Sequence, residues 1–147
     1  MHDLKPVSFF VPGEPQGKGR PRVGSVAGQA RMFTPAKTLA YEGVIAFAAQ
    51  QAMDGRALIT GPVLLEMHML HPIRDSWSKK KKAGALAGEI APTIKCDADN
   101  CLKAVCDALN NIVWKDDVQV VNVSLSKRFA ETPGVRVRIV PLTMLSA

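Results

Sequence analysis

Four aspartates define the chemistry open to this chain. Lys95-Cys-Asp-Ala-Asp-Asn-Cys-Leu-Lys103 is followed by Val113-Trp-Lys-Asp-Asp-Val-Gln119, which sets Asp97, Asp99, Asp116 and Asp117 in two short, neighbouring stretches. Carboxylates crowded together repel one another unless a proton, a cation or a lysine relieves them. The chain around them is basic, with 19 lysines and arginines against 13 acids and a net charge of +6. An acidic focus in a basic body fits a protein that grips a polyanion and holds a divalent metal at one point on it. A metal-dependent nuclease is built that way.

Asp97 falls just before a predicted helix of about 99–110, and Asp99 falls in its first turn, where free amides and the helix dipole favour negative charge. Lys103 follows Asp99 at i+4 and projects over the same surface. Asp116 and Asp117 come at the start of the next predicted strand. Adjacent strand residues face opposite ways, so Asp117 is expected to face the helix end and Asp116 to sit on the rim. Asp97, Asp99 and Asp117 would then offer hard oxygen ligands suited to Mg²⁺ or Mn²⁺. Such ions bind a scissile phosphate and lower the pKa of an attacking water. Lys103 would stabilise the transition-state charge or orient the nucleophile. The same residues also make a helix cap with a surface ion pair, and residue types alone leave both readings open.

The elements that must position these groups follow from pattern. Val7 to Val11 is short, apolar and β-branched or aromatic, and predicts a first strand closed by Pro12-Gly13. The run from Pro12 to Arg22 is too rich in proline and glycine for helix or central strand. It predicts a basic loop, extending over about 12–32, that carries Lys18, Arg20 and Arg22 as phosphate contacts. Thr34 is expected to N-cap a helix with Pro35 at its first position. That helix should span about 36–53, with Leu39, Gly43, Ala46, Phe47 and Gln50 on one stripe. Val63 to Leu70, apolar on both faces, predicts a central strand. A short helical stretch is expected from Asp75, followed by the lysine run 79–82, where Lys79 and Lys80 are further candidates for DNA contact; 84–92 is expected to be loop. Val118 to Ser126 and Val135 to Pro141 alternate as strands and are expected to pair as a hairpin. Trp114 is expected to pack beneath the Asp116–Asp117 corner. The order of elements indicates a compact α+β domain, a mixed sheet with helices packed on it, covering 1–147.

Composition narrows the classes. At 147 residues the chain holds one domain with a real core. No apolar run is long enough to cross a bilayer, and Met1 to Pro6 lacks the apolar core of a signal peptide. Cys96, Cys101 and Cys106 are odd in number and lack zinc spacing, so reduced thiols in a cytoplasmic protein are expected. His68 and His71 face opposite sides of a strand and are poor joint ligands.

The acidic segments resemble a known family. Asp97-Ala-Asp99-Asn100-Cys-Leu-Lys103, then Asp107-Ala-Leu109, then Trp114-Lys-Asp116-Asp117-Val-Gln-Val120 is similar to the signature of RusA-type Holliday junction resolvases. Gly17 to Arg22, Thr34 to Thr38 and Tyr41-Glu42 extend the resemblance over roughly residues 7 to 140. It implies a RusA-like fold and a Mg²⁺- or Mn²⁺-dependent endonuclease acting on four-way junction DNA in recombination and repair. Asp97, Asp99 and Asp117 would be the metal-binding carboxylates, Lys103 the catalytic lysine and Asp116 a supporting acid. It further implies a homodimer without a small-molecule cofactor or membrane association. Competing readings are a metal nuclease for other branched DNA and a non-catalytic branched-DNA-binding module. A D-x-D glycosyltransferase is disfavoured, since no glycine-rich nucleotide-binding turn precedes Asp97.

Overall fold

A computed structural model describes residues 4–19, 22–33 and 35–147. β1 (Val7–Pro12) and β6 (Gly134–Pro141) pair antiparallel, β6 pairs antiparallel with β4 (Val63–Pro72), and β4 pairs parallel with β5 (Val120–Ala130). The sheet order is therefore β1-β6-β4-β5, with the apolar β4 in the interior as its composition requires. Leu65, Met67 and Met69 of β4 join Val7, Val11, Val137 and Ile139 on one face. The other face carries Phe10, Glu66, His68, Arg136 and Arg138.

Helix α1 (Ala36–Met53) and helix α3 (Ala98–Leu109) pack on the apolar face and against each other. Pro35 takes the N-cap position of α1, one residue earlier in the helix frame than expected, and the predicted cap Thr34 lies outside the described residues. The buried stripe of α1 is Thr38, Tyr41, Ile45, Ala49 and Met53. Leu39 and Phe47, expected on that stripe, are exposed, at 56% and 61%. Small residues on every side of this alanine-rich helix leave its periodicity ambiguous, and the Tyr41–Ile45 side offers the larger continuous contact.

Three further expectations are corrected. The segment 22–33 is an antiparallel ribbon, β2 (Arg22–Val26) with β3 (Gln29–Phe33), instead of irregular loop. Its two-residue turn, Ala27-Gly28, has both φ angles positive, at 53° and 80°, which matches the twist of the flanking strands. Helix α2 (Lys79–Leu86) continues through Gly84, with Ser78 Oγ accepting from Lys81 N at 3.2 Å. Finally, β5 and β6 are not a hairpin, because β4 lies between them. The connection 131–133 crosses the end of β4, a span of two strand spacings, about 10 Å, that three residues reach easily.

Candidate active site

The acidic residues stand on α3 and on the turn that follows it. Asp97 is the N-cap residue of α3, yet its side chain makes no capping hydrogen bond, and Asp99 lies in the first turn. Both are exposed, as is Lys103. Among the described residues no ion pair joins Asp99 to Lys103. A cap and a surface ion pair would have consumed these charges, and neither is formed. Immediately before the cap, Cys96 holds φ at 134°, a strained conformation for a residue with a Cβ. Lys127 of β5 anchors this corner, donating from Nζ to the carbonyls of Ile94 and Cys96, each at 3.3 Å.

The thiols of Cys96 and Cys101 are hydrogen-bonded to each other, which lowers Cys96 to about 7 against the opposing effect of burial. The same bond, with burial, raises Cys101. All three cysteines are free.

Asp116 and Asp117 are divided by local structure, though in a different way from strand alternation. Residues Asp117–Gln119 form a single 3-10 turn with Asp116 as its N-cap. The Asp116 carboxylate accepts from Val118 N at 3.1 Å, so Asp116 is committed to holding the turn. Gln119 closes the capping box: its Oε1 accepts from Lys115 N at 3.0 Å and Asp116 N at 3.2 Å. Its Nε2 donates to the carbonyls of Ile59 at 2.8 Å and Gly61 at 3.0 Å, tying the turn to the segment before β4. Trp114 is fully buried beneath, with Nε1 donating to Asn110 Oδ1 at 2.8 Å.

Asp117 lies on the turn that contacts α3, close enough to Cys106 and Asp107 for their charges to interact. Burial raises its pKa first, and hydrogen bonding and charge from Asp116 and then charge from Asp107 raise it further. Cys106 is pushed up to about 12, by burial and then by Asp117 and Asp107. Asp107 therefore belongs to the acidic surface, one more step along the Asp99–Lys103 stripe. That i, i+8 spacing was the signal available in the sequence.

Lys18, expected to reach for phosphate, has an intramolecular role. Its Nζ bonds to Asp107 and lies 3.3 Å from Glu42 of α1. Its pKa is raised, chiefly by the bond to Asp107. The backbone joins in: Lys18 N donates to Asn100 O at 3.1 Å and Gly19 N to Thr38 Oγ1 at 2.9 Å. A Cβ at Gly19 would come within 2.7 Å of that hydroxyl, so glycine is required for this approach. Arg20 and the side chain of Arg22 lie outside what the structure describes. Lys79 and Lys80 are exposed on the first turn of α2. His68 is exposed and bonded to Ser126, whereas His71 is buried, on the opposite face of β4.

Asp99, Lys103 and Asp107 thus form a row along α3, about 12 Å from end to end, with Asp97 just ahead of it and the Asp117 turn in contact with the helix. No three His, Cys, Asp or Glu side chains among the described residues are grouped closely enough to hold a metal ion. The donors are hard carboxylate oxygens, and Lys18 offsets the charge of Asp107 among them. Donors of that chemistry suit Mg²⁺ or Mn²⁺. Among the described residues no helix is long and apolar enough to cross a membrane.

A family model described as "Endodeoxyribonuclease RusA" matches residues 12–140. The chain is 42% identical over 135 residues to "Uncharacterized protein YqaN" of Bacillus subtilis strain 168, covering 90% of this chain and 94% of that relative.

Proposed function

The chain belongs to the RusA family of endodeoxyribonucleases, and from that membership we propose that it resolves four-way DNA junctions by paired, symmetric, metal-dependent nicks. The observation that carries the reading is the pair of exposed carboxylates at the start of α3, with a second acidic pair on the turn that follows the helix. In a chain of net charge +6, Asp97 makes no cap bond, Asp97 and Asp99 are exposed, and Asp117 lies beside an Asp116 that caps the turn.

Asp97, Asp99 and Asp117 would hold Mg²⁺ or Mn²⁺, which supplies charge neutralisation at the scissile phosphate and a water of lowered pKa. Lys103, exposed between the ends of the row, stabilises charge on the phosphate oxygens as the bond breaks. Asp116 and Gln119 fix the position of Asp117. The Lys18 ion pairs hold the loop 13–19 over the groove between α1 and α3 and offset the charge of Asp107. The exposed Lys79 and Lys80, with Arg20 and Arg22, supply phosphate contacts that set affinity and its salt dependence. Cutting two strands related by the two-fold axis of a junction requires two sites related the same way, so the working unit is a homodimer. The setting is recombination and repair in the cytoplasm.

Incubating the protein with an end-labelled mobile four-way junction, in Mg²⁺ or in EDTA, tests this reading. Paired nicks at symmetric positions in Mg²⁺ alone support it. Tight binding with no cleavage in Mg²⁺ or Mn²⁺ would reduce the protein to a DNA-binding module. Cleavage of flaps or forks in preference to junctions would move the substrate to another branched form.

A further inference from the structure

The β2–β3 ribbon makes no more than glancing contact with any other strand or helix among the described residues. Every described side chain from Ala27 to Met32 is exposed. Across the ribbon Val23 pairs with Met32 and Ser25 with Ala30. Because successive strand residues alternate in direction, these four share one face, and Gly24 and Arg31 share the other. Val23 is 70% exposed and Met32 64% exposed. Two large apolar side chains placed directly opposite one another would normally stabilise a sheet by burial, and here the body of the protein covers neither.

The ribbon is rooted beside the acidic row. Lys18 N is bonded to Asn100 O, one residue from Asp99, and Gly17 passes so close that a Cβ there would lie 3.1 Å from Asn100 Cβ. From Gly19 to Arg22 the chain can advance at most about 10 Å. The five-residue strands add about 17 Å of reach. A substrate held at Asp97 and Asp99 is therefore within range of the ribbon. A two-stranded ribbon is narrow enough to enter a DNA groove. Apolar side chains on DNA-binding elements insert where bases are unstacked, and the branch point of a junction is where stacking between arms is interrupted.

Resting on the junction-resolving reading, we propose that the β2–β3 ribbon is a wedge, with Val23 and Met32 entering the branch point and holding bases unstacked while Arg31 on the other face meets phosphate. The occupant is junction DNA and not a second protein copy, because the exposed Arg31 and the basic approach through Arg20 and Arg22 complement a polyanion.

The test is a junction carrying 2-aminopurine at the branch point, whose fluorescence rises on unstacking. It compares wild type with the Val23→Thr/Met32→Thr double variant in Ca²⁺, to separate opening from cutting. Threonine keeps the strand preference and removes the apolar surface. Wild type should raise the signal and the variant should lose roughly four-fifths of that rise at saturation, with junction affinity within about threefold because the phosphate contacts remain. An equal rise with the variant overturns the wedge and leaves the junction reading intact. A change of oligomeric state in the variant, read by light scattering, also overturns it and assigns the pair to a contact between copies. Wild type that binds no junction overturns the junction reading itself.

Discussion

Replacing Gln119 with leucine should weaken the fold modestly and cleavage severely. The side chain makes four hydrogen bonds, two donated to the carbonyls of Ile59 and Gly61 and two accepted from the amides of Lys115 and Asp116. Each such bond contributes about 0.5–1.5 kcal/mol net. The two exposed amides fall at the low end, because water can replace the lost acceptor. The sum is about 2–4 kcal/mol, which for a chain of this size lowers Tm by roughly 5–15 °C. Catalysis should suffer more, since the same bonds fix the 3-10 turn that carries Asp117. A displacement of about 1 Å at a reacting group can cost on the order of 100-fold in rate. The assay is single-turnover junction cleavage with enzyme in excess, beside a thermal melt. The expected outcome is a rate reduced by about 10- to 100-fold with junction affinity nearly unchanged. Gln119→Glu, which keeps the acceptors but sets an oxygen against the carbonyls of Ile59 and Gly61, should be no better than leucine. A variant with the lower Tm and a wild-type rate would refute the idea that this corner positions Asp117.

Asp117→Asn should abolish cleavage and yet raise Tm at neutral pH without divalent metal. The folded-state pKa of Asp117 lies above its ordinary 3.8, so the native state holds the proton more tightly than the unfolded chain does. The ionised form therefore costs the fold stability above that raised pKa, and the cost vanishes as pH falls below 3.8. Melts at neutral and acid pH should show the gain of the asparagine variant only at neutral pH. On α1, Ile45→Ala should cost about 2–5 kcal/mol while Phe47→Ala stays within about 0.5 kcal/mol, a contrast that urea titrations resolve. Gly134→Ala should destabilise by about 1–3 kcal/mol or more, because a Cβ there would lie 2.1 Å from the Phe10 ring and 2.7 Å from the Val11 carbonyl. In the Phe10→Ala background the ring contribution should disappear from the melt and the carbonyl contribution persist.

The placement of the first two candidate residues was legible because carboxylates near a helix start are a local pattern. Asp97 and Asp99 occupy the cap and first turn, as their spacing predicts. The Asp116–Asp117 corner was legible in composition but not in geometry, because a 3-10 turn, unlike a strand, needs the long-range Gln119 bonds to Ile59 and Gly61 to hold it. Lys18 reads locally as one more cation in a basic loop. Its ion pair with Asp107 spans 89 residues and no local pattern encodes it. In the fold, α1 and β4 were recognisable from length and apolar content. The buried stripe of α1 was missed because alanine leaves every face equally permissive until the sheet selects one. The ribbon was missed because Ala27-Gly28 lacks the Asn-Gly or Asp-Gly pair that marks a tight hairpin turn. The β5–β6 hairpin was expected because a three-residue link usually joins neighbours, whereas here it steps over the end of β4.

The most direct test of the account compares single-turnover cleavage of a mobile four-way junction by wild type and by Asp97→Asn, Asp99→Asn and Asp117→Asn, with binding measured in parallel. The account predicts metal-dependent paired nicks by wild type, and in each variant a rate lower by about 1,000-fold or more with binding retained. Variants that cut as fast as wild type would contradict it.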